Sequence, residues 1–309
     1  MAKKHHNSQL YKKVKWITGH KTVLTDNFDE FGIKNISIET ETIFARPRLK
    51  IKDFFSPPHI LIKESLGENQ IPIAFSNEYL CFTNRIVGIH APKNEHDELI
   101  NLFNRLKNNN QTYRFYPQST SGQVGVTLSN SILMQKDISN LPYPEDELDL
   151  ELSQSETIVR DDVLNYLMKL GLDSKNSPLN QLVNTNELSE FGEVFCKTLN
   201  PIYEKDGMSW QVDSFQEFGN LTAFVFRFGK QSANPIIDLT HGNFTKIETL
   251  VYNETHQNAR ITRVLRAYLH QDGYDILILI KPNKMRYWLK SIALRDADET
   301  FADLKRAGF

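Results

Sequence analysis

Basic side chains recur at alternate positions about 50 residues into the sequence. If residues 46–52 form a strand, the four cations lie on one face, because successive side chains of a strand point to opposite sides. Such a row can neutralise successive phosphates along a duplex. It can equally be the charged edge of a sheet, which discourages pairing with other chains. We call these residues the basic segment: Arg46, Arg48, Lys50 and Lys52.

Three further arginines have helical spacing near the other end of the sequence. The pattern predicts a helix over about 258–270 with an apolar face and an arginine face. Arginines on one helical face suit phosphate groups or an acidic protein surface, and we expect them to bind a partner. The acidic residues 145–200 are a candidate partner within the chain. The three arginines are Arg260, Arg263 and Arg266.

Two acidic residues offer a possible metal site. Asp238 ends one apolar run and Glu248 begins the next, and magnesium-dependent nucleases often place such carboxylates on adjacent strands. The lysine of the usual Glu-x-Lys pattern is replaced by Leu250, although Lys246 is near. Polar residues on the solvated face of a sheet are the simpler interpretation. No phosphate-binding P-loop and no dinucleotide-binding glycine motif occurs in the sequence.

Composition excludes several classes of protein. The 309 residues include 36 basic and 38 acidic side chains, but residues 1–60 carry a net charge of +5, residues 145–200 of −8 and residues 257–309 of +4. Two cysteines cannot build a disulfide framework or a four-cysteine zinc site. No apolar run is long enough for a membrane span, and the first residues lack the apolar stretch of a signal peptide. The sequence therefore predicts a cytoplasmic protein without membrane contact.

The elements predict an α+β fold in two domains. Prolines 142 and 144, followed by an acidic run, indicate a boundary, with a first domain at 1–144, a linker at 145–155 and a second domain at 156–309. In the first domain, strands are predicted over 60–64, 71–75 and 86–89, a helix over 95–107, and an exposed polar loop over 118–123. In the second, helices are predicted over 159–170 and 178–199, and strands over 221–228, 236–239, 247–252 and 274–280.

Residues 44–144 resemble the target-recognition region, of the TaqI-like specificity type, of bacterial restriction-modification DNA adenine-N6 methyltransferases. The resemblance rests on the order and spacing of Pro57-Pro58-His59-Ile60-Leu61-Ile62-Lys63-Glu64, Ile73 to Asn84, Ile86-Val87-Gly88-Ile89 and Asp137 to Pro144. The stretch from Ile280 to Thr300 is similar to the tail of large proteins of this kind. The glycine motif and the Asn-Pro-Pro-Tyr loop of the catalytic half are absent, since Asn140 is followed by Leu141.

The resemblance implies a DNA-binding specificity part, separately encoded or truncated, that acts on double-stranded DNA with a catalytic methyltransferase subunit. S-adenosylmethionine is expected on that partner, and no cofactor on this chain. The expected DNA-binding residues are those of the basic segment together with His59, Lys63, Arg85, Arg114, Gln118, Ser119, Ser121 and Gln123. Two alternatives are the metal-dependent nuclease and a non-catalytic protein-interaction subunit of a phage-defence complex.

Overall fold

The chain forms two compact units, Met1–Leu152 and Ser153–Phe309. The computed structural model describes residues 12–13, 17–38, 44–45, 52–67, 69–121, 132–146, 150–167, 177–231, 234–235, 252–254, 260–262 and 264–309. Both units combine helices with antiparallel strands, which confirms the predicted α+β class.

Unit 1 contains ten short strands and three helices among the described residues. The strands are β1 Lys12–Lys13, β2 Lys21–Val23, β3 Phe28–Asp29, β4 Gly32–Ile33, β5 Ser37–Ile38, β6 Phe44–Ala45, β7 His59–Lys63, β8 Ile73–Ser76, β9 Cys81–Phe82 and β10 Ile86–His90. The helices are α1 His96–Asn108, α2 Asn110–Thr120 and α3 Gln135–Ser139.

Strand β7 is the centre of the sheet that positions the site. It pairs antiparallel with β10 on one side and with β8 on the other. Its apolar run Ile60, Leu61 and Ile62 is at most 2% exposed, as expected of a strand with neighbours on both edges. A second sheet, in the order β5-β2-β9, contributes Val23 to the same core as Leu61.

Unit 2 has one four-stranded antiparallel sheet in the order β11-β12-β16-β15. Its elements are α4 Gln154–Asn165, α5 Thr185–Tyr203, β11 Met208–Phe218, β12 Leu221–Lys230, β13 Tyr252–Glu254, β14 Arg260–Thr262, β15 Leu265–Gln271, β16 Tyr274–Pro282 and α6 Lys290–Ala307. Helix α5 begins with a reciprocal cap, because Asn184 Oδ1 accepts from Glu187 N at 3.0 Å and Glu187 Oε2 accepts from Asn184 N at 2.9 Å. Phe191, Phe195 and Trp288 pack with Phe224 and Phe226 in the core between helices and sheet.

The predicted helix over 258–270 is wrong. Arg260–Thr262 is a strand that pairs with Tyr252–Glu254, and Leu265–Gln271 is a strand that pairs with β16 along its whole length. Inter-strand hydrogen bonds to β16 outweigh the helical spacing of the arginines, which is a weak local preference. Arg260 and Arg266 therefore lie on two different strands.

The polar loop predicted over 118–123 also differs from the structure. Helix α2 continues through Thr120, so Gln118 and Ser119 lie in its last turn and Ser121 caps it, while residues 122 and 123 lie outside the described residues. Lys52 is the first residue of a 3-10 helix, Lys52–Phe55, and therefore does not extend the predicted basic strand. Within the described residues, no helix combines the length and apolar character needed to cross a bilayer.

Candidate nucleic-acid interface

The candidate interface in unit 1 is the edge of the sheet where β7 ends. The backbone N–H of Glu64 donates to the carbonyl of Arg85 at 2.9 Å, and the carbonyl of Glu64 accepts from Leu133 N at 2.6 Å. Ser65 forms a further bridge with Ile132. Glu64 and Ser65, which follow β7, thus lie between the turn at Arg85 and the described residues Ile132 and Leu133.

Arg85 is presented by a strained turn at this edge. It adopts a φ of 68°, in the left-handed region that residues other than glycine seldom occupy. Such backbone strain tends to cluster at functional positions. The carbonyl of Arg85 is fixed by Glu64, while its side chain is exposed and makes no hydrogen bond or ion pair with the described residues.

Helix α2 is attached to the same edge by polar contacts that sequence reasoning did not identify. The side chain of Asn110 accepts from Ile71 N at 2.8 Å and donates to Ile71 O at 3.1 Å. Glu30 binds the connection between β7 and β8, because its carboxylate accepts from the backbone and the side-chain amide of Asn69 at 2.7 and 2.9 Å. These partners lie about 40 residues apart, and no local sequence signal marks them.

Arg114 lies inside unit 1. Its side chain is 2% exposed, and Nη2 donates to the carbonyl of Gly67 at 3.0 Å. This guanidinium stabilises the loop after β7 and has no access to a ligand in the present conformation.

The predicted base-contacting residues near the end of α2 lie closer to solvent. Ser119 is exposed and donates from its hydroxyl to the carbonyl of Tyr116 at 2.9 Å, while Gln118 and Ser121 are half-buried. Gln123 lies outside the described residues. The end of α2 is joined to Ile132 at the edge by residues 122–131.

His59 and Lys63, at the two ends of β7, are engaged within unit 1. His59 is fully buried, and desolvation lowers the pKa of its imidazole more than an interaction with the backbone of Ser56 raises it. Lys63 donates from Nζ to the carbonyl of Phe28 at 2.7 Å. Both residues therefore have structural contacts, and only Lys63 is partly accessible to solvent.

Most of the basic segment lies outside the described residues. Arg46, Arg48 and Lys50 belong there, and of Lys52 only the backbone is described. Asp238 and Glu248, the candidate nuclease residues, also lie outside. Among the residues with described side chains, no cluster of three or more histidine, cysteine, aspartate or glutamate residues could hold a metal ion.

Of the three arginines of unit 2, Arg266 is the one whose side chain the structure describes. Arg266 contacts two carboxylates of α6: Asp296 at 3.5 Å and Glu299 more closely. The backbone of Arg260 lies in β14, and Arg263 is outside the described residues. The acidic partner of Arg266 is thus α6 rather than residues 145–200.

The chain was compared with protein families, curated proteins and solved structures. No family model, no curated protein and no solved structure matches the chain.

Proposed function

We propose that unit 1 recognises a sequence in duplex DNA as the specificity part of an adenine-N6 methylation system. The observation that carries the proposal is the contact of Glu64 with both the strained, exposed Arg85 turn and Leu133 at one edge of the sheet. Of the residues for which the sequence predicted base contacts, this edge presents Arg85 to solvent.

The chemistry of duplex recognition fits such an edge. Specificity in the major groove comes from side chains that match base edges, and an arginine that binds guanine through two hydrogen bonds is the commonest case. A fixed backbone limits the conformational entropy that a base-contacting side chain loses on binding. The backbone of Arg85 is held by the hydrogen bond to its carbonyl, while its guanidinium is exposed and available to a base.

Methylation itself requires a second component in this proposal. An enzyme that modifies adenine in a duplex must extrude the base, and another surface must hold the strands and contact the neighbouring pairs. A methyltransferase subunit or domain outside these 309 residues would bind S-adenosylmethionine and carry out the transfer. The system would act in the cytoplasm, where its duplex substrate is found.

The proposal is tested by measuring duplex affinity in matched variants. A duplex selected by the protein from a randomised library and a scrambled duplex are titrated by fluorescence anisotropy. We expect Arg85→Ala to weaken binding to the selected duplex by about 1–3 kcal/mol, with little change on the scrambled one.

Lys107→Ala provides the control, because Lys107 is an exposed cation on α1. It should leave discrimination between the two duplexes unchanged. Equal losses on both duplexes for Arg85→Ala would reduce Arg85 to a phosphate contact, and no loss on either would remove it from the interface.

A further inference from the structure

The turn that presents Arg85 has a second central residue, Asn84, to which the proposed function gives no role. The turn joins β9 to β10 and therefore crosses from one sheet of unit 1 to another. Like Arg85, Asn84 is exposed, and its side-chain amide makes no hydrogen bond with the described residues. The turn thus offers two adjacent polar side chains to solvent.

Hydrogen bonds fix the backbone of this turn on both sides. The hydroxyl of Thr25 donates to the carbonyl of Asn84 at 2.6 Å. The hydroxyl of Thr83 accepts from Thr25 N at 3.0 Å and lies 2.9 Å from Thr25 Oγ1. On the other side, Glu64 N donates to the carbonyl of Arg85 at 2.9 Å. Both exposed side chains therefore start from a fixed backbone, which reduces the entropy that is lost when they bind.

Local conformation does not explain the order of these two residues. Asparagine tolerates the left-handed region better than most residues, yet Arg85 occupies it, with a φ of 68°, and Asn84 does not. Asparagine is also common in turns because its side chain can hydrogen-bond to the backbone two residues further on. The amide of Asn84 makes no such bond within the described residues. An amide without a local role, at a fixed and exposed position, is available to a ligand outside the chain.

We propose that Asn84 contacts an adenine next to the guanine that Arg85 contacts. The inference rests on the proposed function and adds a second position to the recognised sequence. In the major groove, adenine presents a donor at N6 and an acceptor at N7, and the asparagine side chain carries the complementary acceptor and donor. Adjacent Cα atoms lie about 3.8 Å apart and adjacent bases of one strand about 3.4 Å apart, so neighbouring side chains can contact neighbouring bases.

Phosphate is the main competing ligand for Asn84. Its amide nitrogen can donate to a phosphate oxygen, but that contact leaves the amide oxygen without a donor, whereas the edge of adenine satisfies both groups. The adenine contacted in this way stays stacked, because it presents N6 and N7 in the groove. It is therefore a different base from the methylated adenine, which must leave the stack.

Fluorescence anisotropy with base-substituted duplexes tests the inference. The starting duplex is the one selected by the full chain, and the adenine next to the guanine is replaced by 7-deazaadenine, which lacks the N7 acceptor, or by each other base. We expect wild-type affinity to fall about fivefold with 7-deazaadenine and about tenfold or more with the other bases. Asn84→Ala should bind the selected duplex about tenfold more weakly and should no longer distinguish it from the substituted ones, while its discrimination at the guanine is kept.

Asn101→Ala provides the control, because Asn101 is an exposed asparagine of α1, and it should behave as the wild type does. Equal losses on every duplex for Asn84→Ala would make Asn84 a phosphate contact, and unchanged discrimination at the adenine would remove it from base recognition. Either result overturns the inference, and so does a selected motif without an adenine next to a guanine. Should Asn84→Ala fail to fold, Asn84→Asp keeps the size of the side chain, removes the amide donor and decides by the same criterion.

The two proposals fail in different ways. Recovery of duplexes without a common motif contradicts sequence recognition and this inference together. A motif that depends on Arg85 and not on Asn84 contradicts this inference alone.

Discussion

An ion pair between Lys281 and Asp296 joins β16 to α6 in the interior of unit 2. Both side chains are fully buried. Lys281 Nζ also donates to the carbonyl of Tyr287 at 3.0 Å and lies 4.2 Å from the centre of the Phe191 ring. Burial lowers the pKa of Lys281 to about 8 although Asp296 favours its charged form. The ammonium therefore depends on Asp296 for its charge compensation.

The two partners differ in what remains when the other is removed. In Asp296→Ala, Lys281 is left without a partner in an apolar site, where it either stays charged or gives up its proton, and we expect the free energy of unfolding to fall by about 3–5 kcal/mol. In Lys281→Met, the carboxylate of Asp296 still has Arg295 at 3.2 Å and Arg266 at 3.5 Å. The unbranched Met fills the space of the lysine stem, so the expected loss is about 1–3 kcal/mol.

Urea unfolding followed by tryptophan fluorescence measures both losses, because the ring of Trp288 lies 4.5 Å from Lys281 Nζ. With a slope of about 2 kcal/mol/M, Asp296→Ala should lower the midpoint by roughly 1.5–2.5 M. The double variant should be more stable than Asp296→Ala alone, since the buried amine without a partner is gone. Arg306→Met, at an exposed position of α6, is the control and should change little. The reasoning is refuted if Lys281→Met costs as much as Asp296→Ala or if the double variant gains nothing.

Three further predictions concern His59, Gly192 and the basic segment. Because burial lowers the pKa of His59, the unfolded state takes up a proton first as the pH falls below about 6.5, and the free energy of unfolding drops. The melting temperature should therefore fall less between pH 7.5 and pH 5.5 in His59→Phe than in the wild type. Gly192→Ala should destabilise unit 2 by about 1–3 kcal/mol, because the new Cβ would lie 2.7 Å from Phe224 Cζ; Ser189→Ala, an exposed change on the same helix, is the control in urea unfolding. Removing one cation of the basic segment should weaken binding to all duplexes alike and reduce the slope of log affinity against log salt by about one unit; an unchanged slope would exclude that residue from phosphate contact.

Hairpins explain where sequence reasoning failed in unit 2. Strands β15 and β16 are joined by Asp272 and Gly273, with φ of 51° and 80°, as a two-residue hairpin turn of type I′ requires. An Asp-Gly pair between apolar runs is a strong hairpin signal. It was present in the sequence and would have favoured a strand before Asp272 over the predicted helix.

The local sequence pattern was sufficient to predict the central strands and the first helix of unit 1, but it could not predict the polar contacts between distant residues. The runs that became β7 and β10 are rich in Ile and Val, and the helix predicted over 95–107 is found at His96–Asn108. Arg114 could not be placed in the same way. Its burial depends on Gly67, which lies 47 residues earlier in the chain, and a charged residue on a polar helix is by default expected in solvent.

Selection from a randomised duplex library tests the central claim most directly. The full chain is incubated with the library, bound duplexes are recovered over several rounds at moderate salt, and the recovered sequences are aligned. Recognition by the edge around Arg85 predicts one enriched motif, whose enrichment is lost in Arg85→Ala and kept in Lys107→Ala. Recovery of duplexes with no common motif, or of no duplex above background, would contradict sequence recognition and favour a protein-interaction subunit.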